Sequence, residues 1–168
     1  MTFQQQFSNR VIALTGAASG IGLATAQLLA SRDAILSLAD ISKETLEIVA
    51  EDIRSQHNTK VLTYALDVRK YDQVEAWIQA TVKEFGKLDG AANIAGVIPK
   101  SIGVNTVEQQ DFDEWEFVMG VNLTGVMHCL KAQLREMGEG GSVVNAASIA
   151  GLQGRPKIAS YSARSVGL

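Results

Sequence analysis

The sequence predicts an α/β protein, a doubly wound parallel sheet of about five strands. Three observations carry that prediction. Short apolar runs alternate five times with amphipathic stretches of helical length, the pattern of right-handed βαβ crossovers. A glycine-rich turn, Thr15-Gly-Ala-Ala-Ser-Gly-Ile-Gly22, joins the first run to the first amphipathic stretch. The chain has 168 residues, 46 % apolar and 20 % charged. That suits one domain over 1–168, with enough interior for a core that needs no disulfide or metal staples.

The elements follow in order. Asn9 to Thr15 reads as a buried strand, and Gly20 to Ser31 as a helix with Ile21, Ala24, Leu28 and Leu29 on one side. Ala34 to Asp40 is a second strand. Ser42 caps a helix that carries Leu46, Val49 and Ile53 and runs to about His57. Lys60 to Asp67 is a third strand. Asp72 to Phe85 is a helix stopped by Gly86, with Val74, Trp77, Ile78 and Val82 inward. Leu88 to Ile94 is a fourth strand, followed by a glycine-rich, polar loop to about Gln110. One long helix is expected from Asp111 to Met137, with Trp115, Val118, Met119, Val126, Leu130, Leu134 and Met137 along one stripe. Gly140-Gly141 ends that unit, Ser142 to Ala147 is a fifth strand, and a further helix begins at Tyr161.

Composition narrows the function classes. A net charge of −3 argues against nucleic acid or an anionic membrane as the main partner. A single cysteine, Cys129, rules out an internal disulfide framework and a cysteine-rich zinc site. His57 and His128 share no ligand spacing with acids or with Cys129 and are read as helix-surface residues, so no metal site is expected. The opening residues lack a basic segment followed by an apolar one, and no apolar run reaches membrane-spanning length, so a cytoplasmic setting is expected. The acids Asp111, Asp113, Glu114 and Glu116 read as negative charge at a helix start.

The glycine turn lies between a strand and a helix, the context in which such a loop binds phosphate. Gly16 permits the tight turn, Gly20 the approach of backbone to a pyrophosphate, and Gly22 the packing of helix on strand. The helix start then offers unpaired N–H groups and a partial positive charge. Asp40 stands at the end of the second strand, 18 residues beyond Gly22. A carboxylate there accepts the hydroxyls of an adenosine ribose and repels a 2′-phosphate. Ser19 and Ile41 fill the places where a compensating cation would sit, so NAD is favoured over NADP, which is left open. The alternative for Asp40 is a helix cap, a role Ser42 is better placed to take.

The spacing Gly-x-x-x-Gly-x-Gly resembles that of the short-chain dehydrogenase/reductase family, a Rossmann-type fold, and further segments agree in order. Asp67-Val68 looks like the family's Asp-Val after the third strand, which the resemblance places at the adenine. Asn93-Ile-Ala95-Gly96 is similar to its Asn-Asn-Ala-Gly signature. Val121-Asn122-Leu-Thr-Gly125 resembles the segment that contributes the active-site asparagine. Ser148 and Tyr161, thirteen residues apart, look like the catalytic serine and tyrosine. The resemblance implies hydride transfer between nicotinamide and a small-molecule carbonyl or secondary alcohol. Gly16, Ser19, Gly20, Ile21, Gly22, Asp40, Asp67, Val68, Asn93, Ala95 and Gly96 would then lie at the cofactor, and Ser148, Tyr161 and Asn122 at the reaction. In those roles Tyr161 would act as general acid and Ser148 would hold the substrate oxygen. Asn122 falls on the apolar stripe of its helix, where it either kinks the helix or holds a relay water. A homo-oligomer through the 111–137 helix is left open.

The family motif Tyr-x-x-x-Lys reads here Tyr161-Ser-Ala-Arg-Ser165. In the family that lysine holds the nicotinamide ribose and tunes the tyrosine. Losing a cation roughly 4 Å away forgoes on the order of 4 kcal/mol, about a thousandfold in rate. Arg164 stands one position early, turned by about 100° on a helix. The family's C-terminal strands would follow Leu168, so the sequence reads as a C-terminally truncated member, with a reading-frame change expected near Arg164. A catalytically impaired dinucleotide-binding or interaction protein is the alternative function.

Overall fold

A computed structural model describes residues 5–166, with side chains through Ala163. Five parallel strands form one sheet, β1 (Val11–Thr15), β2 (Ile35–Asp40), β3 (Val61–Ala65), β4 (Gly90–Asn93) and β5 (Ser142–Asn145), in the order β3-β2-β1-β4-β5. The helices are α1 (Gly20–Ala30), α2 (Lys43–His57), α3 (Tyr71–Phe85), α4 (Phe112–Met119), α5 (Gly125–Glu136) and α6 (Ala159–Val166). The chain leaves β1 toward one edge through β2 and β3, then returns to the other side through β4 and β5. The reversal between β1 and β4 is where doubly wound sheets hold ligands, beyond the carboxyl ends of the strands.

Alternation along the strands divides the core in two. Ile12, Leu14, Leu36 and Leu38 meet Leu46, Val49 and Ile53 of α2 and the small residues Ala26 and Ala30 of α1. Full burial of a side chain such as Leu38 or Ile53 contributes about 2 kcal/mol. On the other face the strands carry small residues, Ala13, Ser37 and Ala39, which leave room for Trp77 of α3. Trp77 Nε1 donates to Ser37 Oγ at 2.8 Å, Ser37 and Thr81 hydroxyls lie 2.6 Å apart, and Thr81 Oγ1 donates to the Trp77 carbonyl at 2.9 Å. The polar atoms of this buried group thus satisfy one another.

At the amino ends of the strands Asp89 joins β1 to β4. It accepts the Val11 N–H at 2.8 Å and pairs with Arg10 Nη1 and Lys87 Nζ, both at 2.9 Å. Burial pushes the Asp89 carboxyl up, but the Val11 amide, Lys87 and Arg10 outweigh it and hold the group below its ordinary value of 3.8.

Several expectations change. The first strand starts at Val11, since Asn9 is left-handed at φ 60°. Thr81 joins Val74, Trp77 and Ile78 as a buried residue of α3, while Val82 packs on that cluster half-buried. Ser42 does not cap α2 through its side chain, because its hydroxyl pairs with Thr45 Oγ1 at 2.8 Å. Gly86 does end α3, with φ 80° and its N–H on the Val82 carbonyl at 2.7 Å. The expected helix over 111–137 is two helices joined by a wide π-type turn, Gly120–Thr124. Its inward face is Val118, Val121, Asn122, Gly125, Val126, Cys129, Ala132 and Gln133, while Leu134 of the expected stripe is 62 % exposed. Asp111 accepts the Glu114 N–H at 2.7 Å, as expected of an acid at a helix start. His128 is half-buried, with Nδ1 3.0 Å from the Val68 carbonyl, rather than a free surface residue.

Candidate functional site

The turn after β1 is shaped by contacts only glycine allows. Gly16 has φ +73°, and a Cβ there would stand 2.8 Å from the Ala95 nitrogen. A Cβ on Gly22 would stand 1.9 Å from the Gly16 carbonyl oxygen, so α1 starts flush against the turn. Thr15 Oγ1 accepts the N–H groups of Ile94 and Ala95, each at 3.2 Å, and ties the turn to the segment after β4. On the other side Ala17 N–H reaches the Ala39 carbonyl at 3.2 Å and Ala18 N–H reaches Asp40 Oδ2 at 3.0 Å. Asp40 Oδ1 accepts the Ser42 N–H, also at 3.0 Å. Asp40 therefore fixes the turn on one side and the start of α2 on the other. Ser19, extended at the N-cap of α1, places no side chain on the helix amides, and the first turn holds no acid.

These groups border a cleft of about 590 Å³. It brings together Gly16, Ser19, Gly20, Ile21, Gly22, Asp40, Asp67, Val68, Ala95 and Gly96, every residue expected at a cofactor except Asn93. Asn93 is 2 % exposed and sits on the α5 face of β4. Its Nδ2 donates to Gln133 Oε1 at 3.1 Å and Asn145 Oδ1 at 2.9 Å, and its Oδ1 accepts from Gln133 Nε2 at 2.8 Å. The expected cofactor contact is thus replaced by a buried amide cluster joining β4, β5 and α5, because a strand residue there faces the helix layer.

Ser148, Tyr161 and Asn122 stand outside the lining of that cleft. Ser148 caps the short 3₁₀ turn Ile149–Gly151, accepting the Ala150 N–H at 3.2 Å. Half-buried Tyr161 lies in the first turn of α6, which packs on that 3₁₀ turn, on α4 and on Gly120–Thr124. The helix carrying Tyr161 is therefore a neighbour both of the turn that Ser148 caps and of the segment that carries Asn122. Asn122, 1 % exposed, clamps the backbone of Val97: Oδ1 accepts its N–H and Nδ2 donates to its carbonyl, both at 2.7 Å. Gly96 permits that approach, since a Cβ there would stand 3.2 Å from Asn122 Oδ1. The side chains of Arg164 and Ser165 lie outside the described residues.

The sequence model of the short chain dehydrogenase family matches residues 10–167. The chain belongs to that family. Among its relatives, "Short-chain dehydrogenase/reductase aba4" of Botryotinia fuckeliana (strain B05.10) is 58 % identical over 164 residues, 98 % of this chain and 64 % of the relative. The chain thus spans about 64 % of that relative's length. A solved NAD+-bound xylitol dehydrogenase superposes with TM-score 0.88 and 31 % identity over 96 % of this chain and 62 % of its own. A Shigella flexneri 2a short chain dehydrogenase complexed with NADP gives TM-score 0.90 and 26 % identity over 98 % of this chain and 69 % of its own. Family structures thus hold NAD or NADP.

Among the cleft residues outside the expected cofactor set, Arg69 brings a charge and Phe117 a ring. Arg69 Nε lies 3.0 Å from Asp67 Oδ1 and 2.9 Å from Oδ2, and Nη2 lies 2.5 Å from Oδ2. The Arg69 guanidinium holds the Asp67 carboxyl below its ordinary 3.8, against the upward push of partial burial. The other face of Arg69 covers the Phe117 ring, 5.1 Å from its centroid. The signal was present in Asp67-Val-Arg69, an acid and a base two apart after a strand. Among the described residues no group of His, Cys, Asp and Glu is arranged to hold a metal, and no helix is long and apolar enough to cross a membrane.

Proposed function

We propose that the chain is the cofactor-binding part of an NAD-dependent oxidoreductase acting on a small carbonyl compound or secondary alcohol. The observation that carries this reading is the glycine turn closed onto Asp40 at the sheet's reversal point, opening into a cleft of about 590 Å³. The turn fits a dinucleotide: Gly22 lies where any side chain would strike the Gly16 carbonyl, and the α1 amides face the cleft without a competing acid. When bound, a nicotinamide dinucleotide supplies the hydride donor or acceptor.

The chain's own residues do the rest. Backbone amides of Gly20, Ile21 and Gly22 bind the pyrophosphate at the helix start. Asp40 takes the ribose hydroxyls with its remaining acceptor positions, and its charge repels a 2′-phosphate. Among the described residues the cation lining the cleft is Arg69, and it is bound to Asp67, which supports NAD over NADP. Ser148 donates to the substrate oxygen, and the Tyr161 hydroxyl gives a proton to that oxygen in reduction or takes it in oxidation. Asn122 holds the Val97 backbone at the cleft wall and so positions the floor on which substrate rests.

NADH and NADPH fluorescence titrations test this reading. NADH binds more tightly than NADPH, and Asp40→Ala narrows the gap; equal binding of the two by the unaltered chain refutes the NAD assignment. Turnover of alcohols, where found, is abolished by Tyr161→Phe. Ser165 at the lysine position of the family motif favours a second reading, a chain that binds the dinucleotide without turning over. Ser165→Lys then raises turnover while leaving NADH affinity within about threefold, a change of roughly 0.7 kcal/mol.

A further inference from the structure

We propose that Glu114 is a positioning residue for the reaction side of the site, fixing the loop of residues 98–105 as a strap from the cleft wall to the segment that carries Tyr161. This rests on the reading of Tyr161 as the group that gives or takes the proton. Negative charge at the start of α4 is already supplied by Asp111, which caps the helix, and by Asp113. Half-buried Glu114 turns to the loop instead. Its Oε1 accepts the Ser101 N–H at 3.1 Å, and its Oε2 accepts the Ser101 hydroxyl and, at 3.4 Å, Gln110 Nε2. The Ser101 hydroxyl holds the carboxyl below its ordinary value of 4.5, against the upward push of burial, so the group is ionised and accepting at neutral pH.

A hold on Ser101 is a hold on the whole loop. The Ser101 carbonyl accepts the N–H groups of Val104 and Asn105 at 2.9 and 3.2 Å, and the Ile102 N–H closes on the Pro99 carbonyl at 3.2 Å. At one end Val97 and Ile98 line the cleft, with Val97 clamped by Asn122. At the other, the Gly103 N–H donates to the Lys157 carbonyl at 2.8 Å. Lys157 stands at φ 63°, a left-handed conformation that lysine keeps where its surroundings impose it. Residues 152–157 are all exposed, so burial does little to hold them. The bond to Gly103 ties them to the strap just ahead of α6 and Tyr161. Glu114 is not among the residues lining the cleft and acts through the strap, which meets α4 at Ser101 and the Ser148–Tyr161 segment at Gly103.

Tyrosine labelled with carbon-13 at Cζ tests the proposal without relying on turnover. The chain gives three signals, from Tyr64, Tyr71 and Tyr161, and Tyr161→Phe assigns the one at the site. Glu114→Ala is expected to shift the Tyr161 signal and leave the other two in place. It also speeds tryptic cleavage after Lys157 about tenfold, the effect of losing hydrogen bonds to a charged acceptor. NADH affinity stays within about threefold. Glu114→Gln keeps an acceptor for the Ser101 N–H and restores most of the unaltered behaviour. Ser101→Ala removes the hydroxyl bond alone, gives a smaller change in the same direction, and decides the matter should Glu114→Ala fail to fold. A Tyr161 signal that stays in place, or three signals that move together, overturns the proposal. So does faster cleavage after Lys100 alone, which would confine the effect of Glu114 to its own loop, or a tenfold loss of NADH affinity. Failure of the unaltered chain to bind NADH overturns the dinucleotide reading and leaves the tyrosine signals to decide the strap.

Discussion

Gly22 and Asp89 show how much single positions carry. The Gly22 position faces backbone, not a side chain that could swing away, with the Gly16 oxygen 1.9 Å from where a Cβ would stand. Gly22→Ala therefore forces α1 off the turn. It is expected to cost about 2–3 kcal/mol in urea unfolding and to weaken NADH binding by at least about tenfold. Asp89 works through charge. Because its folded pKa is depressed, its contribution is present above 3.8 and is lost as pH falls through the lower folded value. Asp89→Asn is thus less stable than the unaltered chain at pH 7, and the gap closes as the pH is taken below 3.8 in a series of thermal melts. A gap that stays constant to pH 3 would refute the assignment.

At the scale of elements, the α4–α5 unit separates what sequence shows from what it hides. Periodicity located α2 and α3 closely, because most of their buried positions are large and apolar, but on α1 it favoured Ile21 and Leu28, which are 74 % and 51 % exposed, over the buried Gly22, Ala26 and Ala30. It also singled out most of the cleft, since a glycine turn followed by a strand-end acid is a local pattern. It failed where the inward residues are small or polar. Gly125, Cys129, Ala132 and Gln133 form the inner side of α5 because the helix lies close to α3 and to β4, with a Cβ on Gly125 reaching 2.7 Å from Val68 Cγ2. Weighting by apolar size selects the neighbouring flank, Leu130 and Leu134, instead. Asn93 misled for a related reason: its partners Gln133 and Asn145 are 40 and 52 residues away, and no local pattern shows them. The wide turn at Gly120–Thr124 and the Val97 clamp at Asn122 belong together. Asn122→Ala leaves the part-buried N–H and carbonyl of Val97 without their partner and is expected to cost about 1–3 kcal/mol in chemical unfolding. Asn122→Asp keeps the acceptor for the Val97 N–H and is expected to lose less.

Across the whole molecule the sheet is buried at its centre, on β1 and β2, but not at β5. β5 is an edge strand, and its Val144 is 59 % exposed. An apolar edge with free backbone groups is a template for pairing with other chains. Val144→Lys is expected to leave the unfolding free energy within about 0.5 kcal/mol while raising the temperature at which light scattering begins on heating. An unchanged onset would mean that association starts elsewhere.

The small-residue face that admits Trp77 also gives the molecule two unlike optical probes. The chain has two tryptophans, Trp77 sealed at 0 % exposure with its indole N–H on Ser37 and Trp115 half-buried on α4. Emission from Trp77 starts blue-shifted and moves red only when α3 lifts from the sheet. Emission from Trp115 follows the neighbourhood of α4 and α6. With Trp115→Phe and Trp77→Phe prepared separately, intrinsic fluorescence would time the loosening of the two halves against each other during unfolding, without an added label.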